Sequence, residues 1–418
     1  MLTVDDALDA LETKRVVYAY CKRSLSLPLT QALFSSAGVD SGTHQLLSLI
    51  AQETDGARYD AVTDVGCGAG TLAIALASRP AGERPSVVVA SDRDALATAW
   101  TARSAALNGL DHITTVCALG VPPMPIATGA PRLSVCNIPA KAGHPVIERL
   151  IAALIGGGNA DDRDRPTDGS QAAFVIVTPL ASLLRAAIER LGATVVSERS
   201  SANHVSVIVG TRAADHVEPA DDALPEAYTR GISEFPGPVR PYRAQTVFGL
   251  PEFDGLAYRT ALGFDLLRGL EIGGRVGVYG VGQGHLPVAV VQSGDRITEC
   301  LLFDRDLLAL RVARANLARN GYLDAASHPV ATPCALVDAG TDEPFNWLVV
   351  NDDPVPGSIW NSEIVSVADS ALADDGKIIV VSRTTSLNRL ERDAGRLLRV
   401  IDERRMHGYC ARLYRRRR

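Results

Sequence analysis

The 418-residue sequence predicts an α/β protein made of two tandem copies of one strand–helix module. Three observations carry this prediction. Five landmarks recur in the same order at a nearly constant offset. A glycine-rich turn follows a short apolar run in each half. Strand-like and helix-like segments alternate on both sides of the midpoint.

The landmarks are specific. Gly66-Cys67-Gly68-Ala69-Gly70 is echoed 214 residues later by Gly280-Val281-Gly282-Gln283-Gly284, and Asp92-Arg93-Asp94 is echoed 212 residues later by Asp304-Arg305-Asp306. Asn108-Gly109 returns as Asn320-Gly321, Phe34…Asp40 as Phe248…Asp254, and Asn137…Gly143 as Asn351…Gly357. In the first half, apolar and β-branched runs predict strands at 60–65, 86–91, 132–136, 172–178, 194–199 and 204–210. Helices fill the intervals at 71–78, 94–107, 143–155 and 180–192. The second half gives strands near 275–279, 297–303, 346–350, 376–382, 398–403 and 408–414, with helices at 306–319 and 359–372. The last two strands of each half follow one another without a helix, so an antiparallel hairpin closes each mostly parallel sheet. Residues 156–171 read as a mobile loop. The expected organisation is 1–213, N-terminal helices with an intact module; 214–247, a Pro-rich acidic linker and entry segment that begins the second module; and 248–418, a degenerate second module.

Composition excludes several classes. Hydrophobic residues make up 46% and charged residues 22%, a profile for packed cores rather than disorder. No apolar run reaches the ~18 residues of a membrane span. Asp5, Asp6, Asp9 and Glu12 break the pattern of an export signal. Seven scattered cysteines form no C-x-x-C pair, so free thiols in a reducing cytoplasm are expected and no metal site. The net charge is −6, with 18 Lys+Arg against 20 Asp+Glu up to residue 213 and 24 against 28 beyond it, which does not suggest bulk nucleic-acid binding. The Arg415–Arg418 run reads as a frayed, solvated tail.

The chemistry concentrates in the first copy. A glycine-rich strand–helix turn lets a ligand approach the backbone, and Asp92, at the end of the next strand, can accept both hydroxyls of a ribose. The G-x-G-x-G spacing, with Asp64 two residues before the first glycine, favours S-adenosylmethionine over NAD, because a phosphate-free ligand needs no anion cradle. Asp64-Val65-Gly66-Cys67-Gly68-Ala69-Gly70 resembles motif I of class I S-adenosylmethionine-dependent methyltransferases. Two further segments are similar to the small-subunit ribosomal RNA guanine-N2 methyltransferases: Phe34…Asp40-Ser41-Gly42-Thr43, and Asn137-Ile138-Pro139-Ala140-Lys141-Ala142-Gly143, set against N-P-P-F-H-x-G. In those enzymes the decayed copy comes first; here the intact copy does, so the resemblance is carried by the module. It implies two tandem Rossmann-like class I modules, each a seven-stranded sheet, with S-adenosylmethionine held by Asp64, Gly66, Cys67, Gly68, Gly70 and Asp92 and flanked by Asp40 and Thr43.

In an N-x-P loop the Asn oxygen and the next carbonyl accept hydrogen bonds from an acceptor NH₂ and orient its lone pair, while Pro fixes φ. Asn137 and Pro139 are therefore the expected catalytic pair, with Ile138, Ala140, Lys141 and His144 on the substrate side. Ala140 removes the family's stacking aromatic, and Lys141 replaces its histidine. The resemblance favours a ribosomal RNA guanine as methyl acceptor; the acidic charge, Ala140 and Lys141 favour a small metabolite or natural-product amine. A scaffold that binds S-adenosylmethionine without transfer is the third reading. Val278 in place of Asp64, and Asn351-Asp352-Asp353-Pro354 without N-x-P spacing, favour a packing or substrate-binding lobe for the second copy, while the persistence of Gly280, Gly282, Gly284 and Asp304 leaves residual cofactor binding open.

Overall fold

The computed structural model describes residues 2–54, 56, 58–122, 130–156, 169–211, 224–322, 327–335 and 343–417. They fall into two compact units. One is Glu12–Asp221; the other joins Met1–Leu11 to Asp222–Arg418. Helix α1 (Val4–Leu11) therefore belongs with the C-terminal unit. The module boundary read near residue 213 lies outside the described residues, as do 157–168 of the loop expected at 156–171.

The N-terminal unit opens with a hairpin, β1 (Lys14–Tyr20) and β2 (Arg23–Leu29), followed by α2 (Ser41–Glu53). Then come β3 (Ala61–Val65), α3 (Thr71–Ala77), β4 (Val87–Asp92), α4 (Ala95–Leu107), β5 (Ile113–Cys117), β6 (Arg132–Asn137), α5 (His144–Ile155), β7 (Gln171–Val177), α6 (Ala181–Arg190), β8 (Val195–Ser200) and β9 (His204–Gly210). The sheet order is β5-β4-β3-β6-β7-β9-β8. Strands β3 to β7 pair in parallel, and β9 inserts antiparallel between β7 and β8. Every residue of β3 is buried, as a central strand covered on both faces must be.

The C-terminal unit repeats the plan. After the hairpin β10 (Thr229–Phe235) and β11 (Tyr242–Val247) come α7 (Tyr258–Leu267), β12 (Gly273–Tyr279), α8 (His285–Gln292), β13 (Arg296–Asp304), α9 (Leu307–Arg319), β14 (Ser327–Ala331) and β15 (Phe345–Asn351). Then follow α10 (Trp360–Ser370), β16 (Leu372–Arg383), α11 (Thr384–Ala394), β17 (Leu398–Met406) and β18 (Tyr409–Arg416). Its sheet order, β14-β13-β12-β15-β16-β18-β17, is the same topology.

Two landmarks of the repeat prove to be joints. Asn108, just past α4, receives the Ser26 N–H at 2.9 Å and donates to the carbonyls of Ser26 and Ser104, both at 2.8 Å. Asn320 does the same for the second hairpin, taking the Arg243 N–H at 3.2 Å and donating to the carbonyls of Arg243 and Asn316 at 2.8 Å. One side chain thus ends a helix and binds the hairpin to it. Trp100, fully buried in α4, adds a bond from its indole N–H to the Pro28 carbonyl at 2.9 Å.

The structure corrects three sequence expectations. Ahead of α2 the N-terminal segment holds one helix and a hairpin rather than helices alone; residues 229–247 of the entry segment, where no element was predicted, form a second hairpin. Asp254 is not the counterpart of Asp40. It lies three residues before the cap of α7, which is Ala257, and pairs with Arg230 at 3.0 Å. Arg415 and Arg416 are strand residues, not a frayed tail. Arg415 pairs with Lys377 on one side and Arg399 on the other, and the Arg417 N–H reaches the Leu397 carbonyl at 2.8 Å.

Asn108→Ala is expected to cost about 1–3 kcal/mol, because it leaves part-buried backbone groups of the hairpin unbonded. Urea denaturation should show a lower midpoint at unchanged slope.

Candidate active site

The site lies at the carboxyl ends of β3, β4 and β6, where an open α/β sheet presents its loops. The turn after β3 is backbone-defined. Gly66, Gly68 and Gly70 take φ of +76°, +53° and +82°. A Cβ on Gly70 would come within 2.8 Å of Thr101 Oγ1, so helix packing fixes that glycine. A Cβ on Gly66 or Gly68 would meet nothing within 4 Å, so open space lies against them. The N–H groups of Gly66 and Cys67 donate to the Ser91 carbonyl at 2.8 and 2.9 Å. The Cys67 Sγ is buried against the Thr101 hydroxyl, which donates to it at 3.4 Å, and burial holds the thiol well above its ordinary range. Cys67 is thus a packing residue whose backbone faces the turn.

Two carboxylates stand beside this turn. Asp92 receives the Gly68 N–H on Oδ2 and the Asp94 N–H on Oδ1, both at 3.0 Å. Asp94 in turn caps α4 through the Leu96 N–H at 3.0 Å. The D-R-D landmark therefore links the glycine turn to the next helix. Asp64 is fully buried. Its Oδ2 takes the Ala73 N–H at 3.0 Å, while its Oδ1 has no hydrogen-bond partner. Burial, opposed by the Ala73 bond and aided by the Asp92 charge, pushes the Asp64 carboxyl up to about 7. Burial also raises Asp92.

A third cluster converges from α2 and β6. Asp40 caps α2, accepting from the Gly42 N–H at 2.8 Å, the Thr43 N–H at 3.2 Å and the Thr43 hydroxyl. The Asn137 amide donates through Nδ2 to Asp40 Oδ2 at 3.2 Å and to Thr43 Oγ1 at 3.1 Å. With its donor end so occupied, Asn137 has Oδ1 left to present, and no described residue donates to it. Ile138 is buried, and its N–H is tied to the Val175 carbonyl at 2.9 Å. Pro139, Ala140, Lys141 and His144 are exposed, and the Pro139 carbonyl closes a turn with the Ala142 N–H at 3.0 Å.

The structure therefore joins Asp40, Thr43 and Asn137 directly, and Asp92 with Gly68. It leaves Lys141 and His144 on the open rim. It also adds His204, at the start of β9. A Cβ on Gly42 would lie 2.9 Å from the His204 ring, and the Ser41 hydroxyl is 3.5 Å from its Nδ1. The glycine between Ser41 and Thr43 was the sequence signal for a close neighbour, but nothing local in the chain names it.

The methyltransferase small domain model matches residues 25–159. No curated protein sequence matches the chain. Among solved structures, the T. thermophilus 16S rRNA N2 G1207 methyltransferase, in complex with AdoMet and guanosine, is 16% identical, with a TM-score of 0.61. The match covers 97% of this chain and 99% of that one. A ribosomal protein L11 methylase from Lactobacillus delbrueckii subsp. bulgaricus is 21% identical over 38% of this chain and 78% of its own, with a TM-score of 0.31. The resemblance of Asp64–Gly70 to class I methyltransferases is thus borne out. The fold is two tandem class I methyltransferase-like modules, each a seven-stranded sheet closed by an antiparallel hairpin.

The state of Asp64 has a measurable sign. Its folded value lies above that of an unfolded aspartate, so its contribution to stability is whole in acid and is lost as pH rises through about 7. The ligand-free protein should unfold at progressively lower temperature over that rise, and Asp64→Asn should flatten the dependence in a calorimetric pH series.

Proposed function

We propose that the chain is an S-adenosylmethionine-dependent N-methyltransferase whose working site is in the N-terminal unit. The observation that carries this reading is the Asn137 amide, which is held by its nitrogen so that its oxygen is free to accept from an incoming N–H.

The residues present fit the cofactor. Asp64 Oδ1 is a buried acceptor with no partner, suited to an ammonium group. Asp92 keeps lone pairs for a ribose diol beside its bonds to Gly68 and Asp94. The space against Gly66 and Gly68 admits a ligand close to the backbone. A buried carboxylate and a part-buried one at the same turn disfavour the phosphates of a dinucleotide. S-adenosylmethionine, when bound, supplies a methyl carbon made electrophilic by its sulfonium.

The chain's own work is positioning. Asn137 Oδ1 and the Ile138 carbonyl accept the two hydrogens of an amine, which turns the nitrogen lone pair outward and stabilises positive charge as it develops. Asp40 and Thr43, read from the sequence as flanking the cofactor, act here as positioning residues that clamp the Asn137 amide. Pro139 stiffens the loop, and the Ile138 N–H bond to Val175 keeps it on the sheet.

A ribosomal RNA guanine is the first acceptor we infer, since its exocyclic NH₂ suits the Asn137 oxygen and the two-module neighbour acts on 16S rRNA. Such an acceptor would place the protein in the cytoplasm; no helix among the described residues is long and apolar enough to cross a membrane. A small amine is the second acceptor class. It is favoured by exposed Ala140, which offers no ring to stack a base, and by Lys141, a cation suited to an acidic substituent.

Radiolabelled methyl transfer into a cell extract, divided by size and nuclease treatment, tests both. Nuclease-sensitive label and a steep fall of binding with salt support RNA, and label in the small-molecule fraction supports the second class. Asn137→Ala should lower kcat on the order of 10²–10³-fold with little change in cofactor affinity. Asp92→Ala should weaken cofactor binding by about 1–3 kcal/mol in calorimetry. Full turnover by Asn137→Ala would rule out the positioning role.

A further inference from the structure

The C-terminal unit keeps half of the site just described. Gly280, Gly282 and Gly284 take φ of +75°, +50° and +85°, close to their first-copy values. Asp304 accepts from the Asp306 N–H at 3.0 Å and the Gly282 N–H at 3.4 Å, as Asp92 does in its unit. The Asp352 N–H reaches the Val381 carbonyl at 3.2 Å, which makes Asn351 and Asp352 the counterparts of Asn137 and Ile138. A cavity of about 220 Å³ lies among these groups, lined by Gly280, Gly282, Asp304, Asn351, Asp352 and Arg259.

Two features of the cavity point to a ligand. Asn351 is buried, with 8% of its surface exposed, and its Oδ1 has no hydrogen-bond partner. An acceptor withdrawn from water and left unbonded is costly unless something donates to it. Against Gly282 a Cβ would meet nothing within 4 Å, so the backbone there is as open as at Gly68. The lining is rich in acceptors and acidic, which suits hydroxyl and N–H donors and repels phosphate.

The other half is changed in a correlated way. Arg259 is the second residue of α7, where α2 has Gly42, and it pairs at 3.2 Å with Asp353, which stands where the first copy has Pro139. Val278 replaces Asp64 and is fully buried. A Cβ on Gly280 would lie 2.1 Å from the Asn351 carbonyl, so the strand ends close together where the first copy is open. The buried acid for an amino-acid tail and the proline of the N-x-P loop are gone, while the carboxylate for a ribose and the amide oxygen of Asn351 remain.

We propose that the C-terminal unit binds a phosphate-free nucleoside in this cavity, with the ribose hydroxyls on Asp304 and a ligand donor on Asn351 Oδ1, and carries out no transfer there. The site is distinct from the proposed catalytic one and does not depend on the acceptor class.

Calorimetry on the full chain with adenosine and S-adenosylhomocysteine as probes tests it. Wild-type protein should bind adenosine, and Asp92→Asn should retain an adenosine site. Asp304→Asn, combined with Asp92→Asn, should weaken that site on the order of tenfold or more. Asn351→Leu in the Asp92→Asn background, which removes the acceptor while filling its space, should do the same, with unfolding temperatures reporting that each variant folds. Loss of all adenosine binding in Asp92→Asn, or retention of it in the double variants, overturns the proposal and leaves the methyltransferase reading standing. Failure of methyl transfer with the Asp304-dependent site intact would do the reverse.

Discussion

Everything in each unit that faces a ligand hangs on one carboxylate at the end of the second parallel strand. Asp92 in one unit and Asp304 in the other accept a backbone N–H from the glycine turn before them and another from the residue that caps the following helix. The bond is short-range in space but joins segments more than twenty residues apart. Other bonds hold the base of the turn, from Gly66 and Cys67 to the Ser91 carbonyl in one unit and from Gly280 to the Phe303 carbonyl in the other. With the carboxylate's bonds as well, the turn, the carboxylate and the helix cap form one rigid corner. Function is then a matter of what else is brought to that corner.

The two copies differ in just that respect. In the N-terminal unit, α2 brings Asp40 and Thr43 to Asn137, and a buried Asp64 stands behind the turn. In the C-terminal unit, an arginine and an aspartate have taken the places of a glycine and a proline, and a valine has taken the place of the acid. These are opposite chemistries on one scaffold. Both copies keep an unpartnered buried oxygen, Asp64 Oδ1 in the first and Asn351 Oδ1 in the second, but only the first spends fold stability on a buried acid behind the turn, the kind of local cost expected where binding matters. The second removes the buried acid and fills the acceptor end with an ion pair.

Much of this was legible in the sequence because it depends on backbone conformation. Glycines at positive φ, end-of-strand aspartates and apolar strands leave local marks, and the repeat doubled each of them. The predicted strands at 60–65, 86–91 and 132–136 agree with β3, β4 and β6 to within a residue or two. What was hidden depends on partners distant in the chain. β5 (ITTVC) is a half-buried edge strand with a weak apolar signal. The first hairpin fell in a segment expected to be helical and the second in the linker and entry segment, because their packing comes from helices far along the chain, and the Asn108 landmark gave no hint of the hairpin it grips. Asp254 matched Asp40 in spacing but lacks its role, because α7 begins three residues later than a constant offset requires. The arginines at 415 and 416 looked like a tail until β18 was seen to lie between β16 and β17.

The insertion of β9 between β7 and β8 also bears on how the chain can be made. During synthesis β8 emerges before β9, yet its recorded sheet partner is β9. The nascent sheet must therefore hold β7 as an open edge, and leave β8 unpaired, until β9 is released and slots between them. The same order recurs in the C-terminal unit, where β17 waits for β18. Each module passes through a stage with exposed strand edges late in its own translation, the stage at which chains of this size are most prone to pair with a neighbour. Because β9 is made before β16, the first module can close its sheet before the second opens its own, so the two exposed edges arise one after the other rather than together.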